Sequence, residues 1–268
     1  MTETTQKNPT IQSPPASDKL GEDTAIQLKM AGQVQRAFLP ASLPNSDKLR
    51  WAAVYQPADW VSGDIYDAAR LDEQHIGFYI ADAVGHSMPA ALLTMFLKQA
   101  LVMRQTVGDD YHIFGPQEVI KNLNLKMVEQ RLGSSLFATC CYCLLNIRTM
   151  QLTYARAGHP YPVLIKKNQP PKQLKIHGGL LGIFEQSDFD QETIQLAAGD
   201  KLFIYSDGCD PLIGECNDKG HFIFDKLFNS IAEMPADRMI AEFESLANSR
   251  NIPPEELDDV TALALEIL

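Results

Sequence analysis

The chain has 268 residues with 34 acidic against 23 basic side chains, a formal net charge of −11. That balance argues against a nucleic-acid or anionic-membrane binder, which needs a basic face to displace counterions. An apolar share of 45%, five cysteines without paired C-x-x-C hooks, and no run near the roughly 20 apolar residues of a membrane span read as a reduced, soluble, cytoplasmic protein.

Residues 1–24 hold Pro9, Pro14 and Pro15 among polar side chains and read as a disordered tail. Next, Ile26, Met30, Val34 and Phe38 recur every four residues, which predicts an amphipathic helix ending before Pro40. Its stripe packs either on its own domain or on a second copy or partner, and residues 25–45 read as a regulatory or linker segment. From Trp51 to Leu268 there is no composition break, so one domain is expected, over 46–268. Helices are predicted over Met88 to Val107, Pro116 to Leu132 and Pro235 to Ser249. Strand-like runs fall at 51–56, 64–71, 75–83, 136–147, 150–156, 161–165, 192–197, 201–206 and 260–267. Short strands punctuated by Gly and Pro, with helices in pairs, predict an α+β fold of sheets covered by helices.

Carboxylates stand where these strands end. Asp64 follows Ser62-Gly63, Asp82 closes an apolar strand, Asp207 closes another before Gly208, and Asp258-Asp259 precede the last. An Asp in such a place is costly unless it is hydrogen-bonded, paired or bound to a cation. Singly, each reads as a turn residue or helix cap. Together they point to a shared site of hard oxygen ligands, suited to Mg²⁺ or Mn²⁺.

At these residues the chain resembles the bacterial SpoIIE/RsbU branch of the PP2C-like, metal-dependent Ser/Thr protein phosphatases. The fragments run in the family's order: Gln56-Pro57-Ala58, Ser62 to Asp67, Asp82 to Ser87 with Pro89 to Leu92, Phe137-Ala138-Thr139, Ala157 to Pro160, Gly179 to Gly182, Tyr205 to Gly208, and Asp258 to Thr261. The resemblance implies α-β-β-α layers, two stacked and mainly antiparallel sheets flanked by helices, with two Mn²⁺ or Mg²⁺ ions at one end. By motif, Asp82 would bridge both metals, Asp207 and Asp258 would join it on one, and Asp64 with the Ala83 backbone carbonyl would bind the other. A metal-bound water would attack the phosphoserine phosphorus in line. Asp259, Gly63, Gly85, His86 and Gly208 would flank the ligands, His86 either as a proton donor to the leaving serine oxygen or as a loop-stabilising hydrogen bonder. Ser62, Ala83-Val84, Ser87 and Pro211 depart from the family pattern without removing a ligand, and Ser87 and Pro211 bear on rate and specificity.

The resemblance also implies a role in partner-switching stress signalling. The substrate would be a phosphorylated, small STAS-type anti-sigma-factor antagonist, with input from an upstream sensor or activator protein or from a homodimer through helix 26–38. Two alternatives are a non-catalytic pseudophosphatase that holds its partner and a phosphatase of small phosphate esters. Cys140, Cys141 and Cys143 read as core, because Cys141 and Cys143 share one strand face and Cys140 points away. His159 reads as a turn residue tying two strands. Cys209 falls beside Asp207-Gly208 but has no evident general base, and Asp109-Asp110 read as solvated.

Overall fold

The computed structural model describes residues 16–85, 87–131, 136–218, 222–249 and 258–268. Most of the tail, residues 1–15, and His86 therefore lie outside the described residues. The first element, α1 (Ala16–Ala37), starts inside the stretch read as tail. Beyond Pro15, nothing in Ala16-Ser17-Asp18-Lys19-Leu20 opposes a helix.

After α1 come β1 (Leu49–Gln56), β2 (Asp64–Arg70), β3 (His75–Ala83) and α2 (Met88–Ala100). A small hairpin of β4 (Arg104–Val107) and β5 (Asp110–Ile113) precedes α3 (Pro116–Glu129). Then follow β6 (Ala138–Asn146), β7 (Gln151–Ala157), β8 (Val163–Ile165), β9 (Lys172–Gln173), β10 (Gln191–Gln195) and β11 (Lys201–Tyr205). A 3-10 turn at Asp207–Cys209 runs into α4 (Asp210–Ile213) and a hairpin of β12 (Gly214–Cys216) and β13 (Phe222–Phe224). The chain closes with α5 (Lys226–Ala232), α6 (Ala236–Ser249) and β14 (Val260–Ile267).

The predicted helix over 88–107 is shorter than its apolar run suggested. Leu101 turns extended (φ −76°, ψ 102°), and 104–107 pair as β4 across a turn in which Gly108 adopts φ +63°. Asp109 and Asp110 sit at that turn, exposed.

Two antiparallel sheets, ordered β1-β14-β11-β8-β9 and β10-β7-β6-β3-β2, stack face to face. Alternation of side chains along each strand serves two cores at once. In β11, Leu202 and Ile204 face the space between the sheets, while Phe203 and Tyr205 pack outward against α5 and α6. In β6, Cys141 and Cys143 face the inter-sheet core, whereas Cys140 and Tyr142 meet α2 and α3. All three cysteines are fully buried. Trp51 and Phe78 join the sheets edge to face, with ring centroids 4.8 Å apart. The result is four layers, helix on sheet on sheet on helix. Among the described residues, no helix is long and apolar enough to cross a membrane.

The first helix is seated the opposite way from the simplest expectation. Ile26, Met30 and Val34 are 58%, 60% and 59% exposed, so the apolar stripe does not pack on its own domain. Ala25, Leu28, Gly32 and Gln35 face inward instead. Gly32 lies so close to the Trp60 carbonyl that a side chain could not fit. Gln35 is buried, donating from Nε2 to the Ser62 carbonyl (2.7 Å) and to Thr94 Oγ1 (2.9 Å), and accepting from the Ser62 N–H (2.9 Å). Satisfied polar contacts and backbone proximity, not the apolar stripe, fix this docking.

Candidate active site

Strand register assembles the acidic cluster. Asp64 opens β2 directly opposite Asp82 on β3, and Asp82 in turn faces Thr139 on β6. In the other sheet, β11 ends just before Asp207, alongside the start of β14 after Asp258 and Asp259. One end of the sandwich therefore gathers all five carboxylates. Each raises the cost of ionising its neighbours.

Burial, then Asp82 and Asp259, push the Asp64 carboxyl well above the ordinary carboxylate range. Ser206 and Thr261 hydroxyls offset part of that rise, yet Asp64 Oδ2 is buried with no hydrogen-bond partner. Burial and the charges of Asp207, Asp258 and Asp259 push Asp82 up to about 8. Asp207 is raised by burial and by Asp258, and Asp210 reaches about 6 through burial and Asp207. Among the described residues, no three His, Cys, Asp or Glu groups yet converge at metal-ligand spacing. The donor set nonetheless fits a hard divalent cation: clustered oxygens, proton-holding carboxyls and a buried acceptor lacking a donor are what such a cation relieves.

Asp259 is set apart from Asp258 although the two are adjacent. Its Oδ1 accepts from the Ala58 N–H (2.7 Å) and its Oδ2 from the Gly63 N–H (2.6 Å), so both oxygens are committed to the loop leading to Asp64. Burial still raises its pKa, against the lowering effect of those donors. Asp258 is exposed, on the wall of a cleft of about 700 Å³ shared with Asp207, Gly208, Ala58, Arg36 and Tyr55.

Two glycines permit the close approaches. A side chain on Gly63 would strike the carbonyls of Ala83 and Gly85, and the Ala83 N–H donates to the Gly63 carbonyl (2.8 Å). A side chain on Gly208 would strike the Asp259 carbonyl and crowd Asp258. Gly85 turns the chain after β3 with φ +83°. His86, next in sequence, lies outside the described residues.

His159 is buried and hydrogen-bonded through Nδ1 to Thr139 Oγ1 (2.7 Å), which ties the end of β7 to β6. Burial and Arg156 push its pKa down to about 3, so the ring is neutral. Cys209 is buried with Sγ donating to the Thr261 carbonyl (3.4 Å), and burial raises its thiol pKa, which leaves no nucleophile there. Sequence reasoning assigned no role to Gln35, Ser206 and Arg36, and it marked Ser62 only as a departure from the family pattern. Ser62 Oγ accepts from the Asp64 N–H (2.9 Å), and Ser206 Oγ accepts from the Thr261 N–H (3.1 Å). The Arg36 guanidinium lies over the Tyr55 ring, 5.7 Å from its centroid. Only Ser62 and Ser206, each beside or near a flagged Asp, carried a signal that could have found them.

Comparison with known proteins agrees with this architecture. Phosphoserine phosphatase RsbU of Bacillus subtilis is 33% identical over 203 residues, covering 75% of this chain and 57% of that protein. This chain thus spans little more than half of that relative. Among solved structures, the SiaA-PP2C domain of Pseudomonas aeruginosa superimposes with a TM-score of 0.74, 22% identity and coverage of 96% of this chain and 100% of that one. RsbX in complex with magnesium shares the fold at a TM-score of 0.61 and 15% identity, over 85% of this chain and 99% of that one. The family model described as Stage II sporulation protein E (SpoIIE) matches residues 72–268. A match over that much of the chain, on a two-sheet sandwich of the PP2C kind, makes this protein a member of the SpoIIE family.

Proposed function

We propose that the chain is a Mn²⁺- or Mg²⁺-dependent protein serine/threonine phosphatase, hydrolysing a phosphoserine on a small STAS-type anti-sigma-factor antagonist. The observation that carries this reading is the acid end of the sandwich, where register sets Asp64 opposite Asp82 beside Asp207, Asp258 and Asp259, and where Asp64 Oδ2 is buried with no hydrogen-bond partner. The phosphoserine phosphatase RsbU and the magnesium complex of RsbX support it. Asp82 would be shared by two cations, with Asp207 and Asp258 on one and Asp64 and the Ala83 carbonyl on the other. Divalent cations held there supply positive charge against phosphoryl oxygens and lower the pKa of water.

The remaining residues position these groups. Asp259 and Ser62 fix the loop that presents Asp64. Gly63 leaves room against the Ala83 carbonyl, and Gly208 lets the Asp207 turn lie on the Asp258-Asp259 backbone. Arg36 brings a cation to the cleft wall, where it faces the charge of a phosphate ester. The outward stripe of Ile26, Met30, Val34 and Phe38 supports a regulatory contact of α1 with a second copy or an upstream sensor protein.

EDTA should abolish turnover of a phosphoserine protein, and Mn²⁺ or Mg²⁺ should restore it, with Ca²⁺ a poor substitute. Full turnover by metal-free protein would sink the metal-dependent reading. Absence of turnover with any metal would favour a partner-binding module, and preference for p-nitrophenyl phosphate would favour a small-ester phosphatase.

A further inference from the structure

Charge is segregated along this chain in a way the acid site does not use. From Gln130 to Phe184 there is no Asp or Glu, while Arg131, Arg148, Arg156, Lys166, Lys167, Lys172 and Lys175 all fall there. That stretch carries +7, so the rest of the chain carries −11 − 7 = −18. Folding brings part of it beside the acidic cluster. A second cleft of about 430 Å³ shares Asp207 with the first and is lined by Thr139, Tyr161, Lys175 and Phe222. Lys175 and Phe222 also line an adjoining cleft of about 640 Å³, with Lys172, Ile194 and Phe224.

The two clefts share a wall and form one groove leading away from Asp207. Arg156 holds the Tyr161 ring, 4.3 Å from its centroid, and donates to the His159 carbonyl (2.6 Å). Lys172 and Lys175 are exposed, and neither has an ion-pair partner among the described residues. Acidic residues on the groove are Asp207 and Asp210 at its site end, and Glu192, which accepts from the Tyr154 hydroxyl (2.7 Å). Beyond its site end, the groove thus offers two free cations and aromatic faces on an otherwise acidic protein.

We infer that this groove seats the polypeptide flanking the phosphoserine, and that the flank bears acidic residues with an apolar side chain among them. The inference rests on the protein-phosphatase reading above. A phosphorylated, acidic segment meets a net negative charge over the rest of the chain, and the lysine-lined groove is an approach to Asp207 along which it is attracted. Tyr161, Phe222 and Phe224 supply the apolar contact that fixes its direction.

The test is fluorescence anisotropy with the full chain, Mn²⁺ and labelled peptides carrying a non-hydrolysable phosphonate in place of the phosphate. One peptide has Asp and Glu beside the phosphonate, and its counterpart has Asn and Gln. The acidic peptide should bind more tightly, with a preference that fades as salt is raised. Lys172→Glu combined with Lys175→Glu should weaken its binding about tenfold and remove the preference. Lys121→Glu, on the exposed face of α3, should keep the preference. Equal binding of the two peptides, persistence of the preference in the double variant, or its loss in Lys121→Glu would overturn the groove. Turnover of the matching phosphoserine peptides judges the other reading separately. Preference without turnover fails the phosphatase alone, and turnover without preference fails the groove alone.

Discussion

The middle of the sandwich and its acid end are made from the same strands on opposite terms. Between the sheets, Trp51, Phe78, Ile80, Cys141, Leu263 and Leu265 improve one another's burial, each large side chain contributing roughly 1.5–3 kcal/mol. At the end, Asp64, Asp82, Asp207 and Asp259 each make ionisation of a neighbour harder. Moving Asp82 from 3.8 to about 8 corresponds to a cost of several kcal/mol, on the order of what a few core side chains offset. The core is complete as folded. The end, on the reading proposed above, is completed by a positive partner, and the middle of each strand holds its terminus in that unfavourable place.

Asp82→Asn strikes this contrast hardest. Turnover at saturating Mn²⁺ should fall by more than about 10²-fold. In the metal-free protein the folded Asp82 holds a proton up to about pH 8, against 3.8 ordinarily, so the native state binds more protons than the unfolded state across that window. Wild-type, metal-free stability therefore decreases as pH rises from about 4 to about 8. Melting curves across that range should be flatter for Asp82→Asn than for wild type. An unchanged slope together with near wild-type turnover would remove Asp82 from the site.

The adjacent pair sharpens the comparison further. Asp259→Ala strips a charged acceptor from two backbone donors and should destabilise the EDTA-treated protein by about 2 kcal/mol in denaturant unfolding. Asp258→Asn should abolish most turnover and leave metal-free stability near wild type. If the two effects were exchanged, the roles of these neighbours would be exchanged too. Smallest is the change at the core: Cys141→Ala with Cys143→Ala should lower stability by about 1–2 kcal/mol. Bound Mn²⁺ should stay constant, and a loss proportional to the cysteines removed would tie the core to metal binding.

The strands were legible because apolar runs such as 75–83 and 201–206 are bounded by Gly, Asp and Pro, and the acidic residues at their ends stood out by cost. What pairing does was not legible. Asp64 opposite Asp82 is a fact of register between strands. Seating of α1 was hidden for a different reason. Periodicity scores Ile26, Met30, Val34 and Phe38, but Gln35 and the missing side chain of Gly32 decide which face turns inward. The 88–107 helix was overdrawn because Leu101-Val102-Met103 continues the apolar run, although Val107-Gly108-Asp109-Asp110 carries a hairpin turn. Clamping of the 57–63 loop by Asp259 needed coordinates, since nearly two hundred residues separate the partners.

The chain's two tryptophans fall on either side of that same division. Trp51 is 3% exposed, enclosed between the sheets, and its fluorescence reports whether the sandwich as a whole is folded. Trp60 is 43% exposed, on the loop that Asp259 clamps, with the Lys29 ammonium 5.7 Å from its ring and Gly32 of α1 against its carbonyl. Its emission belongs to a half-wet, polar surrounding that changes if α1 lifts. One indole buried in apolar packing and one at a helix seam give the protein a built-in pair of optical probes. Their spectra separate an event confined to the first helix from the loss of the fold.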